Sequence, residues 1–214
     1  RAVDAKVQLP TRAYSFLTDA ELAGVECMLA RTGYTGEIGY EVFCTPGDAP
    51  GLWEALIEAG KAFGACPCGL GARDSLRMEA GMPLYGNELD EDISPLEAGL
   101  HAFVDMDNPG FVGGKALMQP VRRRRVGFRI DGRGIPRAGH VVQDWDGCVI
   151  GTVTSGGYSP TLGAGLGMAL VKYEWSDVDK LNIQIRGKLV PAHTVPLPFY
   201  RRKQIIKEDG HGNT

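Results

Sequence analysis

No stretch of this 214-residue sequence approaches the roughly 20 consecutive apolar residues that a membrane-spanning helix requires. The opening RAVDAKVQLP also lacks the apolar segment of a secretory signal. The formal charge is only -3, so no overall field draws the chain to nucleic acid or to an anionic membrane surface. Cysteine is sparse and odd in number: Cys27, Cys44, Cys66, Cys68 and Cys148 follow no regular spacing, which speaks against a disulfide framework and for a reducing compartment. Cys66-Pro67-Cys68 has one intervening residue instead of two, and no second Cys or His pair lies nearby. Free thiols at a helix entrance are therefore expected, with no metal. His101, His140, His193 and His211 are scattered, and the GxSxG, HExxH and P-loop patterns are all missing.

What remains is an ordinary globular composition, 43% hydrophobic and 23% charged, in a chain long enough to bury a sizeable core. Its texture changes near Gln119. Before that point helices and strands mix. Segments 25–31 and 39–44 read as two strands joined by a Gly-rich loop. Asp48 stands where an N-cap belongs and Pro50 lies in the first turn. Leu52, Trp53, Leu56, Ile57 and Phe63 are spaced to line one helical face. A second helix is expected over 70–80, buried through Leu76 and Met78 and stopped by Gly81. Ser94-Pro95-Leu96-Glu97 fits a capping box that starts another short helix, and 113–118 adds one more helical turn. Beyond Gln119, Val126, Phe128 and Ile130 alternate with Arg129, and Leu181, Ile183 and Ile185 alternate with polar neighbours. Further strands are expected over 147–155, 163–172 and from Gly187-Lys188 to near Phe199. Short strands at this spacing indicate an antiparallel barrel or sandwich. Three regions follow: 1–119, 120–200 and a polar, frayed tail at 201–214.

Four clusters have chemical content. In RTGYTGEIGYE (31–41), three glycines permit close backbone approach to a ligand, and Tyr34 and Tyr40 offer flat faces. Glu41 enters a strand expected to be largely buried, where its two acceptor oxygens complement an adjacent amino and ring N–H pair. Spacing alone favours a plain hairpin loop with solvated glutamates. In GLGARDSLRMEAG (69–81), Arg73 and Arg77 share a helical face and Asp74 can orient Arg77. An Arg fork suits a ligand carboxylate, and exposed ion pairing is the blander alternative. The carboxylates Glu88, Asp90, Glu91 and Asp92 lack the spacing of a calcium loop, so a solvated acidic turn is expected. Arg122 to Arg125 lack interleaved aromatics for RNA, and a charged interdomain linker is the better reading.

These clusters stand in one order with FVGGKAL (111–117), GTVTSGGYSP (151–160) and PFY (198–200). The series resembles the glycine-cleavage T protein family from about Leu9 to Tyr200. The resemblance implies an α+β fold: part of a folate-binding T-protein domain followed by a C-terminal antiparallel β-barrel. It also implies aminomethyl transfer from the lipoyl arm of a partner, the H protein, to tetrahydrofolate as cosubstrate, with ammonia released. By position Glu41 matches the pterin-recognising carboxylate, Tyr34 an aromatic beside it, Arg73 the folate-contacting arginine and Tyr200 a tyrosine that closes over the ligand. The compartment implied is the cytoplasm, or the mitochondrial matrix in a eukaryote. The folate part of a dimethylglycine or sarcosine oxidase, a demethylase, and a non-catalytic folate-binding module are the alternatives. The related iron–sulfur maintenance proteins would show a KGCYTGQE-like segment, which is missing.

Two departures matter. Ile38 stands where the family commonly has Asp. The resemblance also begins well inside the family's length, after the segment that carries its proposed catalytic aspartate, so no catalytic residue is assigned here. A separate N-terminal chain or self-association is the expected complement, because a missing wall leaves apolar surface exposed. The 214-residue chain on its own is expected to show no H-protein-dependent transfer; measurable turnover by the purified protein would overturn that expectation.

Overall fold

A computed structural model describes residues 7–202. The first part is a three-stranded antiparallel sheet in the order β1-β2-β3, formed by β1 (Phe16–Leu22), β2 (Val25–Ala30) and β3 (Glu41–Phe43). One face buries Ala20, Leu22, Cys27 and Leu29 against Leu52 of helix α1 (Ala49–Gly60), with Tyr40, Val42 and Leu56 packed around them. Strands β2 and β3 lie where the sequence placed them. β1 is an addition: a register shift between Leu17 and Ala20 breaks its alternation, and Phe16 and Leu17 are exposed. The expected apolar face of α1 is narrower than its spacing suggested, because Trp53 and Phe63 are exposed. Asp48 occupies the N-cap without a side-chain cap bond, and its carboxylate instead accepts the Thr45 hydroxyl at 2.7 Å.

Helix α2 (Leu70–Glu79) ends as expected. Gly81 takes a left-handed φ of 67°. Its N–H donates to Met78 O at 2.8 Å, and the Met82 N–H to Arg77 O at 2.9 Å, a Schellman closure that suits glycine. Met78 is buried, whereas Leu76 is partly exposed. The Ser94–Glu97 capping box forms reciprocally, at 3.0 and 3.2 Å. It opens only a single turn before the chain leaves at Gly99, so the helix expected there does not develop. The one-turn helix α3 (Gly114–Leu117) follows.

The second part closes into a barrel, not a sandwich. β4 (Arg123–Ile130), β5 (Val141–Gln143), β6 (Val149–Ser159), β7 (Ala164–Lys172), β8 (Lys180–Ile185) and β9 (Lys188–Val195) run in the order β4-β7-β6-β5-β8-β9, with β9 pairing back onto β4. Val126, Phe128, Ile130, Val153, Val171, Leu181 and Ile183 belong to its core. The three-residue β5 was not legible in the sequence. The tail expected to fray lies outside the described residues beyond Arg202.

Polar groups at the end of α2 join the two parts. Arg77, 1% exposed, spends five hydrogen bonds on four partners. Nε and Nη2 donate to Asp74 Oδ1 at 2.9 and 2.7 Å, Nη1 to Glu88 Oε2 and Met82 O, and Nη2 to Ser155 Oγ of β6 at 2.9 Å. An arginine carries five N–H donors, so this set leaves none without a partner. Glu88 is no part of a solvated acidic turn but a buried carboxylate, 1% exposed, facing Arg77. The arginine run is no linker, since Arg123 to Arg125 open β4. Arg123 Nε donates to Glu97 Oε1 at 2.9 Å, and Arg125 Nη1 donates to Gly81 O at 2.8 Å. Burial pushes the Glu97 carboxyl up, but hydrogen bonds from Arg123 and Ser94 outweigh it, and its pKa falls below the usual range.

Removing one partner of a buried pair leaves the other charge stranded, which costs about 3–5 kcal/mol. Arg77→Met is therefore expected to destabilise the protein by about that much in urea denaturation. Arg73→Met, one turn earlier on the exposed face, is expected to shift stability by no more than about 0.5 kcal/mol.

Candidate functional site

The glycine-rich segment 31–41 crosses from β2 to β3 and lies over the end of α2. Gly36 is required there on two counts. Its φ is 73°, and a Cβ built on it would stand 2.8 Å from Ala80 Cβ. Tyr34 ties the loop down by donating its hydroxyl to Pro83 O. The guanidinium of Arg73 stacks over the Tyr34 ring, 4.5 Å from its centroid, a cation–π geometry. Desolvation raises the Tyr34 pKa although Arg77 and Arg73 oppose it, so the phenol stays protonated and remains a donor.

Glu41 sits at the start of β3 and is exposed, not buried as the sequence suggested, because the short edge strand leaves that face of the sheet uncovered. The Thr32 hydroxyl donates to its Oε2. Tyr40, grouped with Tyr34 in the sequence reading, instead packs on the first core and donates its hydroxyl to Pro10 O at 3.2 Å.

A cleft of about 850 Å³ opens between this loop and the segment that follows β9. Thr32, Gly33 and Gly36 to Gly39 form one wall, and Pro198, Tyr200, Arg201 and Arg202 the other. Tyr200 is held by its N–H, which donates to Glu79 O at 2.9 Å. Glu37 faces this wall, with Arg202 Nε 3.5 Å from its carboxylate. The negative charge of Glu37 raises the Tyr200 pKa, keeping that hydroxyl protonated too.

The four residues singled out in the sequence fall into two groups, and of the four only Tyr200 lines the cleft. Tyr34 and Arg73 stack on each other. Tyr200 lines the cleft, and Glu41 connects to it through Thr32. Of the arginine pair on α2, Arg73 is exposed and available while Arg77 is committed to the interior. The cleft also collects Tyr14, Arg31 and Glu37, which the sequence reading did not select. Glu37 lay inside the quoted motif, and its local charge was the available signal. Tyr14 carries a positive φ of 59° that only the fold reveals. All five cysteines are free thiols, with Cys66 and Cys68 exposed ahead of α2. Among the described residues no three His, Cys, Asp or Glu side chains gather as a metal-holding group, and no helix is long and apolar enough to cross a membrane.

Comparison with known proteins agrees with this architecture. Residues 1–108 match the family described as the GCVT N-terminal domain, and residues 123–201 match the glycine cleavage T-protein C-terminal barrel domain. An aminomethyltransferase of Saccharopolyspora erythraea is 49% identical over 189 residues, covering 86% of this chain and 52% of the relative. One from Rubrobacter xylanophilus is 50% identical over 202 residues, covering 92% of this chain and 52% of the relative. The crystal structure of glycine cleavage system aminomethyltransferase T from Bartonella henselae superposes with a TM-score of 0.75 at 35% identity, covering 81% of this chain and 50% of that one. The chain spans about half the length of the relatives it matches. With both of its parts matched, the chain belongs to the glycine cleavage T-protein family of aminomethyltransferases.

Proposed function

We propose that the chain is the rear portion of a tetrahydrofolate-dependent aminomethyltransferase. In the reaction an aminomethyl group held on the lipoyl sulfur of an H protein passes to tetrahydrofolate and ammonia leaves. The observation that carries this reading is the cleft beside the 31–41 loop, built within the two family regions and walled by Tyr200. Its volume lies in the range of small-molecule sites, and its mixed lining of aromatic rings, glycine backbone and charged groups suits a planar heterocycle with an acidic tail.

Each contact residue has a distinct task in this proposal. Glu41 offers carboxylate oxygens to the amino and ring N–H edge of the pterin, oriented by the Thr32 hydroxyl. Arg73, exposed on α2, offers a guanidinium fork to a ligand carboxylate, and its stack on Tyr34 fixes the plane of that fork. Tyr200 covers the bound ring. These groups bind and orient. None is assigned the proton transfers, and association with a separate N-terminal chain or a second copy is part of the proposal. Phe16, Phe43 and Phe103, exposed by 61%, 52% and 72%, give such a partner apolar surface to cover. The cytoplasm is the compartment this reading favours.

Titration of the purified chain with tetrahydrofolate tests the assignment. A hydrogen bond to a charged group contributes about 1.5–3 kcal/mol, so Glu41→Ala and Arg73→Ala are each expected to weaken binding tenfold or more, on the order of that energy. Affinities equal to that of the native chain would show that neither residue anchors the ligand.

A further inference from the structure

Glu79, the last residue of α2, faces two ways. Its side chain is 3% exposed and belongs to the barrel: Oε1 accepts the Ser159 hydroxyl and, at 3.1 Å, the Thr161 N–H, while Oε2 accepts the Thr161 hydroxyl at 2.7 Å. Ser159 ends β6 and Thr161 lies in the turn to β7, so both carboxylate oxygens are fixed by a single barrel turn. Its main-chain carbonyl is one of those a helix end leaves without an intrahelical partner. That carbonyl accepts the Tyr200 N–H at 2.9 Å. The segment after β9 is then seated against the α2 cap, where a Cβ on Gly81 would lie 3.1 Å from Pro198 Cα. Tyr200 and Arg202 reach the cleft from this seat.

We propose that Glu79 is a positioning residue that sets Tyr200 over the cleft, converting the rigidity of the β6–β7 turn into a fixed wall for the ligand. Ser159 and Thr161 act through it without touching the ligand. The carboxylate orients the end of α2, the carbonyl of the same residue orients the segment, and Tyr200 follows. A Thr161 variant therefore changes ligand binding from the far side of the helix. The inference rests on the folate reading above only for the identity of the ligand.

Two measurements on the full chain test it. The first is amide hydrogen exchange of Tyr200, with Met168 of barrel strand β7 as reference. Thr161→Val and Ser159→Ala each remove a hydroxyl from Glu79 and are expected to speed Tyr200 exchange about tenfold, the scale of a coupling through one shared group. Met168 exchange should stay unchanged, and Thr161→Ser should restore the native rate. An unchanged Tyr200 rate, or one that rises only in step with Met168, would overturn the proposal. The second is tetrahydrofolate titration. Thr161→Val is expected to weaken binding about tenfold in the native background and less than about twofold in Tyr200→Ala, because the effect passes through Tyr200. Equal losses in both backgrounds would mean that Thr161 acts on overall stability, and would also overturn it. A native chain that does not bind tetrahydrofolate contradicts the folate reading instead, and the exchange measurement alone then decides the role of Glu79.

Discussion

A guanidinium withdrawn from water is costly unless its donors find acceptors, and Arg77 finds them by drawing on both parts of the chain. Asp74 comes from its own helix, Glu88 and Met82 O from the segment that follows, and Ser155 from the barrel. The desolvation cost of such a charge is several kcal/mol, so the arrangement holds only when all of these elements are in place together. Two residues on, Glu79 repeats the pattern with the sign reversed, a buried carboxylate satisfied by the next turn of the barrel. The last turn of α2 is therefore a polar weld between the two parts, set beside an apolar cluster in which Met78 of α2 packs with Leu166 and Met168 of β7.

The site inherits its geometry from this weld. Once the end of α2 is fixed, the Schellman closure at Gly81 sets where the chain leaves, and Gly36 can approach Ala80 closely enough to bring the 31–41 loop down. Arg73 is left on the solvent side of the same helix, where Tyr34 orients it. Arg125, entering β4, returns to Gly81 O, and burial lowers its pKa from the usual arginine value. The cleft is thus bordered by the loop and by the segment after β9, and both are held by the same few residues at the α2 terminus.

Features with local causes were legible in the sequence. Gly81 announced the end of α2, and the alternation of Val126, Phe128 and Ile130 announced a half-buried strand, because both signals lie within a few residues of their effect. The capping box at Ser94 was legible as hydrogen bonding but not as length, since Gly99 ends the turn at once. Long-range partners were beyond reach. Nothing near Glu88 marks it as buried, since its counter-ion is 11 residues away, and Arg77 meets Ser155 across 78. The exposure of Glu41 likewise depends on the end of a sheet that local pattern does not reveal. The order of the motifs conveyed what no single motif did: Arg77 with Ser155 and Glu79 with Ser159 show two distant signatures meeting at one junction.

The central claim is that the polar weld makes the two parts one cooperative unit. Scanning calorimetry of the full chain tests this most directly. The account predicts a single transition whose calorimetric and van't Hoff enthalpies agree. Two resolved transitions, with the barrel melting apart from the β1–β3 sheet and its helix, would contradict it.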